Sequence, residues 1–385
     1  MTNDQQVYRK HNSFVGFRAH EAKAAGTTLA KIAVALEEPS NTVQLSTYFQ
    51  TVLESVKADL FATGSLDRPR FGLSPHVVKE IDLLAERDVA RYLVHRYRYE
   101  IHPQLYLLDD YPPYLQIEPT SICNYRCVFC YQTDNSFTRR SNGFMGHMTL
   151  ETFKNLIDQA QGNVEFISLA SRGEPMLCKD INAMLAYSRG KFLNLKLNTN
   201  ASVLDDDKSH AILQSGVKTL VFSVDAAEEP LYSQLRVNGS LEKVLANIER
   251  FQKIRETQYP EVKIITRVSG VKVRAEQDLD GMVSYWGGLV DQVAFVDYVP
   301  WENVYAAPYT NVATPCSDLW RRMFVWWDGQ INPCDVDYRS TLSAGLLGDK
   351  GLRQLWCSES YKTLRSEHIN GRRSSVSPCD RCVVV

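Results

Sequence analysis

Six short apolar runs alternate with amphipathic segments across residues 111–304, and no other feature constrains the fold of this chain as strongly. Strands that alternate with helices are typical of a parallel sheet covered by helices. The six predicted strands cover residues 115–118, 164–170, 193–198, 219–224, 262–268 and 292–296. Two of the predicted helices cover residues 150–160 and 241–255. We therefore expect an α/β fold, a partial (β/α)6 TIM-like barrel with its chemistry at the C-terminal ends of the strands.

Two further segments flank the predicted barrel. Residues 1–110 contain no Cys and carry apolar side chains at helical spacing, which predicts a helical N-terminal extension. Basic and aromatic residues interleave between Arg91 and Tyr99, but a solvated helix face backed by core aromatics explains them better than a nucleic-acid patch does. Residues 305–385 contain most of the remaining Cys and a turn between two short strand-like runs, which predicts a small α+β domain.

The bulk composition narrows the possible partners. Lys and Arg number 43 against 45 Asp and Glu, so no basic field recruits nucleic acid. No apolar run approaches the roughly 18 residues of a membrane span, and the first residues lack the features of a signal peptide. Nine Cys with no export signal favour a reduced compartment. We expect a cytoplasmic protein with no membrane or nucleic-acid partner.

Three cysteines, Cys123, Cys127 and Cys130, follow the first predicted strand in the spacing C-x3-C-x2-C. Three thiolates in one short loop can hold three irons of a 4Fe–4S cube and leave the fourth iron open. An open iron can bind a substrate or cofactor. Zinc is the alternative, but a zinc site needs four ligands and usually draws them from C-x2-C pairs.

The Cys spacing resembles the signature of the radical S-adenosylmethionine enzymes, and a second motif supports the resemblance. Ser171-Arg-Gly-Glu-Pro175, after the second predicted strand, resembles the family's Gly-Gly-Glu-Pro element, with Arg172 in place of the first Gly. The resemblance implies that Gly173 lets the backbone approach the ligand and that Glu174 accepts the methionine ammonium. It also implies that Phe129 packs near the adenine, although any apolar residue could fill that loop position.

Four later positions match the family at strand ends. Asn198 and Asn200 match its Thr-Asn element and would meet ribose or substrate, although a capping or Asx turn explains Asn200 equally well. Ser223 and Arg236 match the pair that reaches the methionine carboxylate, with a surface salt bridge as the alternative for Arg236. Arg267 lies among apolar residues of the fifth predicted strand, so it is a candidate for a ligand carboxylate or ribose, or for a structural ion pair.

A second set of cysteines lies in the C-terminal segment: Cys316, Cys334, Cys379 and Cys382. Their spacing, with Gly329 between the first two, resembles the twitch domain, a shortened form of the SPASM domain. The resemblance implies that the four thiolates fully ligate an auxiliary 4Fe–4S cluster, which takes or relays an electron. A zinc knuckle held by the same four residues is the structural alternative.

The resemblance implies that the loop cluster and S-adenosylmethionine together yield a 5′-deoxyadenosyl radical. With an auxiliary cluster as electron acceptor, the expected reaction is oxidation of an alcohol in a small polar substrate, a sugar or an aminocyclitol. Asp225, Asp297 and Tyr298 lie near strand ends and are candidates for substrate or base groups. A flavodoxin or ferredoxin is the reductant that the family implies.

Three other functions remain open. In an epimerase, Cys178 would return a hydrogen atom to the substrate, although a small buried hydrophobic residue explains it better. Modification of a peptide is common among relatives with such C-terminal domains. A non-enzymatic iron–sulfur or zinc protein is disfavoured, because an electron carrier does not need an ammonium and carboxylate clamp.

Overall fold

The computed structural model describes residues 7–10, 13–19, 25–61 and 67–385. The strands in these ranges are β1 Phe14–Ala19, β2 Tyr114–Ile117, β3 Arg126–Cys127, β4 Phe166–Leu169, β5 Asn194–Thr199, β6 Thr219–Ser223, β7 Arg236–Val237, β8 Ile265–Lys272, β9 Gln292–Asp297, β10 Arg322–Val325, β11 Gln330–Asn332 and β12 Gly345–Leu346. The helices are α1 Ala25–Glu37, α2 Thr47–Phe61, α3 Pro75–Leu83, α4 Glu86–Glu100, α5 His102–Leu105, α6 Asn135–Thr138, α7 Leu150–Ala160, α8 Ile181–Ser188, α9 Asp206–Ser215, α10 Glu229–Leu235, α11 Leu241–Gln258, α12 Leu279–Gly287, α13 Asp318–Arg321, α14 Leu352–Trp356 and α15 Glu359–Ile369.

The predicted α/β partial barrel is confirmed. One sheet has the order β1-β9-β8-β6-β5-β4-β2-β10-β11-β12, and all six predicted strands lie side by side in it. Each neighbouring pair from β2 to β9 is parallel. The two ends of the sheet do not pair with each other, so the barrel stays open.

Apolar faces and helix caps explain the regular part of the barrel. All four residues of β4 are buried, as expected for a parallel strand covered on both faces. Helix α7 begins where the Thr149 side chain accepts a hydrogen bond from the Thr152 N–H, and its buried face packs on the main core. Helix α11 is capped in the same way by Ser240.

Two strands from outside the predicted barrel join the sheet. Strand β1 pairs antiparallel with β9 at one edge, although residues 1–110 are predicted to be helical. Strand β10, in the predicted C-terminal domain, pairs parallel with β2 and continues the barrel. The sheet therefore crosses both predicted domain boundaries. The division of the chain into domains at residues 1–110, 111–304 and 305–385 stays a prediction.

The helices of the N-terminal extension pack against the amino ends of the barrel strands. Their buried apolar residues form a separate hydrophobic cluster that includes Phe166 and Leu193, one at the start of β4 and one just before β5. Helix α4 supplies much of this cluster. The extension thus covers the end of the barrel opposite the predicted chemistry.

None of the described helices combines the length and the apolar composition that a membrane span requires.

Candidate active site

A cavity of about 380 Å³ opens at the C-terminal ends of the barrel strands. We call it the active-site cavity, and we call residues 123–130 the Cys loop. The cavity brings together eleven of the predicted site residues: Cys123, Cys127, Phe129, Cys130, Gly173, Glu174, Asn198, Asn200, Ser223, Asp225 and Arg236.

The Cys loop is held by a short antiparallel pairing. Strand β3 pairs with β7, which sets Cys127 opposite Arg236. The Tyr125 N–H donates to the Cys123 Sγ at 3.4 Å, and the Arg236 Nη1 lies 3.8 Å from the Cys127 Sγ. These donors favour thiolates, which are the form that binds metal.

Burial opposes ionisation of the same thiols. It raises the pKa of Cys123 to about 12, with the Glu174 carboxylate as the next cause. It also raises the pKa of Cys127 and of Cys130. The Arg236 cation acts in the other direction on all three thiols. Metal binding must therefore release protons from this loop.

Gly173 packs against the backbone that leads into the Cys loop. A Cβ at this position would lie 2.3 Å from the Thr120 carbonyl oxygen and 2.6 Å from that of Ile122. The next N–H, that of Glu174, donates to the Ile122 carbonyl at 2.9 Å. Gly173 thus makes a close approach to the chain before Cys123, and its predicted approach to a ligand stays a prediction.

Replacement of Gly173 by Ala is expected to lower the free energy of unfolding by about 1–3 kcal/mol, because the added methyl group meets fixed backbone atoms. Gly72→Ala is the matched control, since nothing lies within 4 Å of its added Cβ. Chemical denaturation of both variants measures the difference. Equal stability of the two would contradict this account of Gly173.

Glu174 is buried and nearly saturated with hydrogen bonds. Its Oε1 accepts from the Thr199 hydroxyl at 2.6 Å and from the Met176 N–H at 3.1 Å, and its Oε2 accepts from the Asn200 N–H at 2.6 Å. Burial raises the pKa of this carboxyl, and the three donors act against the rise. Because each carboxylate oxygen can accept about two hydrogen bonds, Oε2 has room for one further donor.

Several buried polar atoms around the cavity have no partner in the part of the chain that the structure describes. They are the Asn198 Oδ1, the Ser171 Oγ and the Gln132 Oε1. Buried polar atoms are normally hydrogen-bonded, so these three indicate a ligand with complementary donors and acceptors. The amide of Asn200, in contrast, is used within the protein, by Asn124 and Ser202.

Asp225 and Arg236 form a buried ion pair. The Arg236 Nε lies 2.6 Å from the Asp225 Oδ2, and the two side chains are 7% and 0% exposed. The Asp225 Oδ1 also accepts from the Val271 N–H at 2.7 Å. These contacts make Asp225 a partner that orients Arg236, and its predicted role as a substrate or base group stays a prediction.

Arg267 does not lie in the active-site cavity, so its predicted contact with a ligand carboxylate or ribose there is corrected. Strand β8 runs Ile265–Lys272, later than the predicted 262–268, which places Arg267 near the amino end. Its guanidinium donates to the Gln292 Oε1 at 2.8 and 2.6 Å. Ser269 and Gly270, which the sequence analysis did not single out, line the cavity from this strand.

The three remaining catalytic candidates also lie outside the cavity lining. Cys178 is 2% exposed and packs in the main hydrophobic core, which favours its interpretation as a buried hydrophobic residue. Asp297 is exposed at the end of β9, and the Tyr298 hydroxyl donates to Glu302. None of these three residues therefore lines the active-site cavity, and their predicted catalytic roles stay predictions.

Arg172, the departure from the family motif, forms a buried bidentate ion pair with Glu118. Its Nη2 and Nε lie 2.6 and 2.7 Å from the two carboxylate oxygens, and the side chains are 2% and 0% exposed. Its Nη1 donates to the Tyr338 carbonyl at 2.8 Å, and its guanidinium lies 4.2 Å from the centroid of the Trp326 ring. Arg172 thus ties the barrel to the C-terminal segment.

The C-terminal segment closes one side of the active-site cavity. Asp335 of this segment lines the cavity and directly follows Cys334, and Trp301, just before the segment, lines it as well. The Lys10 Nζ lies 2.6 Å from the Asp335 Oδ1 and 3.2 Å from the Asp318 Oδ2. Residues from both ends of the chain therefore meet beside the predicted auxiliary cysteines.

The thiols of the second set of cysteines lie close enough to act on one another electrostatically, and their role as a ligand set stays a prediction. All four thiols are free, and burial raises the pKa of each, with the other cysteines of the set as further causes for Cys316, Cys334 and Cys379. Backbone N–H groups donate to the Cys334 and Cys382 sulfurs at 3.4 Å, as a thiolate requires. The buried Arg373 donates to the carbonyls of Cys379 and Cys382 and fixes that turn.

The described cysteines do not form a site for a single metal ion. Within the described ranges, no three Cys, His, Asp or Glu side chains converge on one point where a single metal ion would sit. A four-iron cube bonds each thiolate through a different iron, so the observed arrangement is compatible with a cluster at each set.

Comparisons with known proteins agree with this geometry. The model of the Radical SAM superfamily matches residues 117–266, and the model of SPASM, an iron-sulfur cluster-binding domain, matches residues 316–383. A GTP 3′,8-cyclase of Clostridium botulinum is 28% identical over 140 residues, 36% of this chain and 42% of that protein. An AdoMet-dependent heme synthase of Methanosarcina barkeri is 28% identical over 147 residues, 38% of this chain and 41% of that protein. The chain thus spans less than half the length of these curated relatives.

One solved structure resembles most of the chain. The crystal structure of Streptococcus suis SuiB bound to S-adenosylmethionine superposes with a TM-score of 0.51 and 16% identity, and the match covers 87% of this chain and 83% of SuiB. At this level of identity the likeness supports the fold alone.

Proposed function

Because this chain belongs to the Radical SAM superfamily and carries a C-terminal SPASM domain, we propose that it oxidises an alcohol carbon of a small polar substrate. The proposed substrate class is a sugar or an aminocyclitol, bound in the active-site cavity. The enzyme holds a 4Fe–4S cluster, an auxiliary 4Fe–4S cluster and S-adenosylmethionine as its cofactors.

One observation carries the proposal. The active-site cavity is bounded on one side by the Cys loop and on another by Asp335, the residue next to Cys334. A substrate in this cavity therefore lies between the residues that would hold the first cluster and those that would hold the second. Oxidation of an alcohol requires such an arrangement, since one hydrogen atom, one proton and one electron must all leave the same carbinol group.

The bound cofactors would supply the radical that removes the hydrogen atom and the acceptor that takes the electron. The protein's own residues then bind, orient and deprotonate. Glu174 has one acceptor position left for the methionine ammonium, and Arg236, held by Asp225, presents further donors for the methionine carboxylate. Asn198 offers its unpartnered Oδ1 to ribose or substrate.

We propose that Asp335 is the base that accepts the proton of the substrate hydroxyl. Three carboxylates line the cavity, and Glu174 and Asp225 are held by backbone N–H groups and by Arg236. Asp335 keeps 15% of its side chain exposed and is paired with Lys10 through one oxygen. It is thus the lining carboxylate with room to accept a proton from a substrate hydroxyl.

The test is an anaerobic incubation of the reconstituted protein with reductant, S-adenosylmethionine and a panel of sugars, aminocyclitols and short peptides. We expect 5′-deoxyadenosine and a product that has lost a pair of hydrogens from a small alcohol. A product that keeps the substrate mass in ordinary water, and that carries deuterium on carbon when the reaction is run in deuterated water, would indicate epimerisation instead of oxidation. A mass change confined to peptides would overturn the proposed substrate class. Reduction by flavodoxin and by ferredoxin can be compared in the same assay.

Replacement of Asp335 by Asn is expected to lower kcat for substrate oxidation by about 10²–10⁴-fold, because the amide cannot accept the hydroxyl proton. Iron content measured on the same sample should be unchanged, since Asp335 is not one of the proposed ligands. Asp297→Asn is the matched control, and its kcat should equal that of the wild type because Asp297 lies outside the lining. A D335N variant with full kcat would remove Asp335 from the mechanism.

A further inference from the structure

A second cavity lies at the amino ends of the barrel strands, on the side covered by the N-terminal extension. Its volume is about 140 Å³, and we call it the amino-end cavity. Five of its lining residues are the first residues of parallel strands of the barrel: Tyr114, Phe166, Asn194, Thr219 and Arg322. Others come from helices α3 and α4 and from β1, so the cavity is enclosed between the barrel and the extension.

The lining of this cavity is rich in cations. The five basic residues other than His76 are Lys10, Arg96, Lys196, Arg267 and Arg322, and Glu80 is the single carboxylate among the lining residues that the structure describes. One carboxylate oxygen of Glu80, Oε2, accepts a hydrogen bond from the Tyr92 hydroxyl at 2.5 Å.

Three of the cations have carboxylate partners. Lys10 pairs with Asp318 and Asp335, as described above. The Arg322 Nε lies 3.7 Å from an Asp318 oxygen. The Arg96 Nε lies 2.6 Å from the Glu100 Oε1. These pairs leave two cations, Lys196 and Arg267, to be accounted for.

Neither Lys196 nor Arg267 has a carboxylate partner within the described ranges. Arg267 is 7% exposed and contacts the neutral amide oxygen of Gln292, with the rings of Phe14 and Phe17 5.7 and 5.9 Å from its guanidinium carbon. Lys196 makes no hydrogen bond or ion pair with any described residue. Glu80 is the one lining carboxylate that raises the pKa of both cations, and it forms an ion pair with neither. Two cations that share a single carboxylate in one enclosed space leave an excess positive charge, which a bound anion would offset.

The pKa of Lys196 is lowered by its burial and by its position beside other cations in this cavity. Burial lowers the pKa of Lys196 to about 7, with the Arg267 and Arg322 charges as the next causes. An anion in the cavity would offset both effects and hold the ammonium in its charged form.

We propose that the amino-end cavity binds one oxyanion, a phosphate or a carboxylate group, between Lys196 and Arg267. A guanidinium and an ammonium together suit such a group, because the first offers paired donors and the second a compact charge. The volume limits the occupant to one small group. This site is separate from the Cys loop and does not depend on the proposed oxidation.

The occupant is either a free anion or the charged group of a substrate that reaches down the barrel. Lys196 and Asn198 stand two residues apart on β5, so both face the barrel interior, and Asn198 lines the active-site cavity. Lys10 lines the amino-end cavity and pairs with Asp335 in the other one. The two cavities thus lie next to each other along the barrel interior, and competition experiments can separate the two sources.

The test uses the reconstituted full chain and inorganic phosphate, with acetate as the carboxylate probe and chloride at equal ionic strength as the reference. We expect phosphate, acetate or both to raise the melting temperature of the wild type and to bind in calorimetry. Lys196→Met should weaken this binding by about tenfold or more, because a hydrogen bond to a charged group is lost. Lys218→Met is the matched control, since Lys218 lies just before β6 but does not line the cavity. Its affinity should match the wild type.

A second readout separates a ligand site from a structural ion pair. Without added anion, Lys196→Met should be at least as stable as the wild type, because a cation beside Arg267 and Arg322 is removed. A large loss of stability in this reference state would overturn the proposal, as would equal stabilisation of wild type and variant by the oxyanions. Absence of any effect beyond chloride would overturn it as well.

The source of the anion follows from kinetics once a substrate is identified. Phosphate that raises KM for the substrate in the wild type but not in Lys196→Met assigns the site to a charged group of the substrate. Phosphate that binds without changing KM assigns it to a free anion. Because the binding readouts need no turnover, failure of the proposed oxidation and failure of this site are distinguishable.

Discussion

Replacement of Cys127 by Ala is expected to remove about four irons per chain and to abolish formation of 5′-deoxyadenosine. Cys127 is one of three thiols of the Cys loop and lies opposite Arg236 in the pairing of β3 with β7. Because the loop supplies only three thiolates, loss of one leaves two ligands for a four-iron cube. The rate of 5′-deoxyadenosine formation should fall by more than about 100-fold. That is the loss caused by changing a residue that only contacts a metal ligand, and loss of the ligand itself should cost more.

Two matched variants make this result specific. Cys334→Ala should also remove about four irons, but it should keep the ability to cleave S-adenosylmethionine, because the Cys loop is intact. Cys357→Ala should change neither, since Cys357 is a free thiol outside both sets. Iron analysis and 5′-deoxyadenosine measured on the same samples separate the three variants. Normal iron in Cys127→Ala, or loss of cleavage in Cys357→Ala, would contradict the assignment of the ligands.

The repeating part of the fold could be predicted from the sequence because its signal is local. Apolar runs of strand length and amphipathic runs of helix length alternate along the chain, and neighbouring strands follow each other in sequence from β2 to β9. The position of the Cys loop at the end of the first barrel strand could be predicted for the same reason, since its three cysteines lie within one short segment.

Strand boundaries were less predictable. An error in one boundary placed the candidate Arg267 at the carboxyl end of its strand, whereas the structure has it near the amino end. The apolar run at 262–268 predicts a strand that ends just after Arg267, whereas β8 runs Ile265–Lys272. Ser269 and Lys272 weaken the apolar pattern, but the pairing of β8 with β6 and β9 extends the strand through them. A residue near the end of the predicted strand is therefore near the beginning of the real one.

Contacts between distant segments could not be predicted from local patterns. Strand β1 carries Gly16 in its middle, which weakens a strand pattern, and it forms because the edge of β9 is available. The pairing of Arg172 with Glu118 depends in the same way on how the barrel strands are assembled. Arg172 was noticed as a departure from a motif, but its partner lies 54 residues earlier in the chain.

That departure leads to the second prediction with a large expected effect. Arg172→Gly restores the residue that the family motif carries, yet we expect it to lower the free energy of unfolding by about 3–5 kcal/mol. The reason is that Glu118, 0% exposed, would keep its charge and lose both guanidinium hydrogen bonds. The contacts of Arg172 with the Tyr338 carbonyl and the Trp326 ring would disappear as well. Urea unfolding followed by tryptophan fluorescence measures the change.

A double variant distinguishes an unpaired charge from a simple loss of packing. In Glu118→Gln combined with Arg172→Met, no buried charge is left alone, so most of the lost stability should return. Arg353→Ala is the control for a solvent-exposed pair. Arg353 and Asp110 are 60% and 64% exposed, so loss of their pairing should leave the stability close to that of the wild type. If Arg172→Gly were as stable as Arg353→Ala, the glycine of the motif would suit this chain too. If it is far less stable and the double variant recovers, the barrel and the C-terminal segment depend on one ion pair that the family motif does not contain.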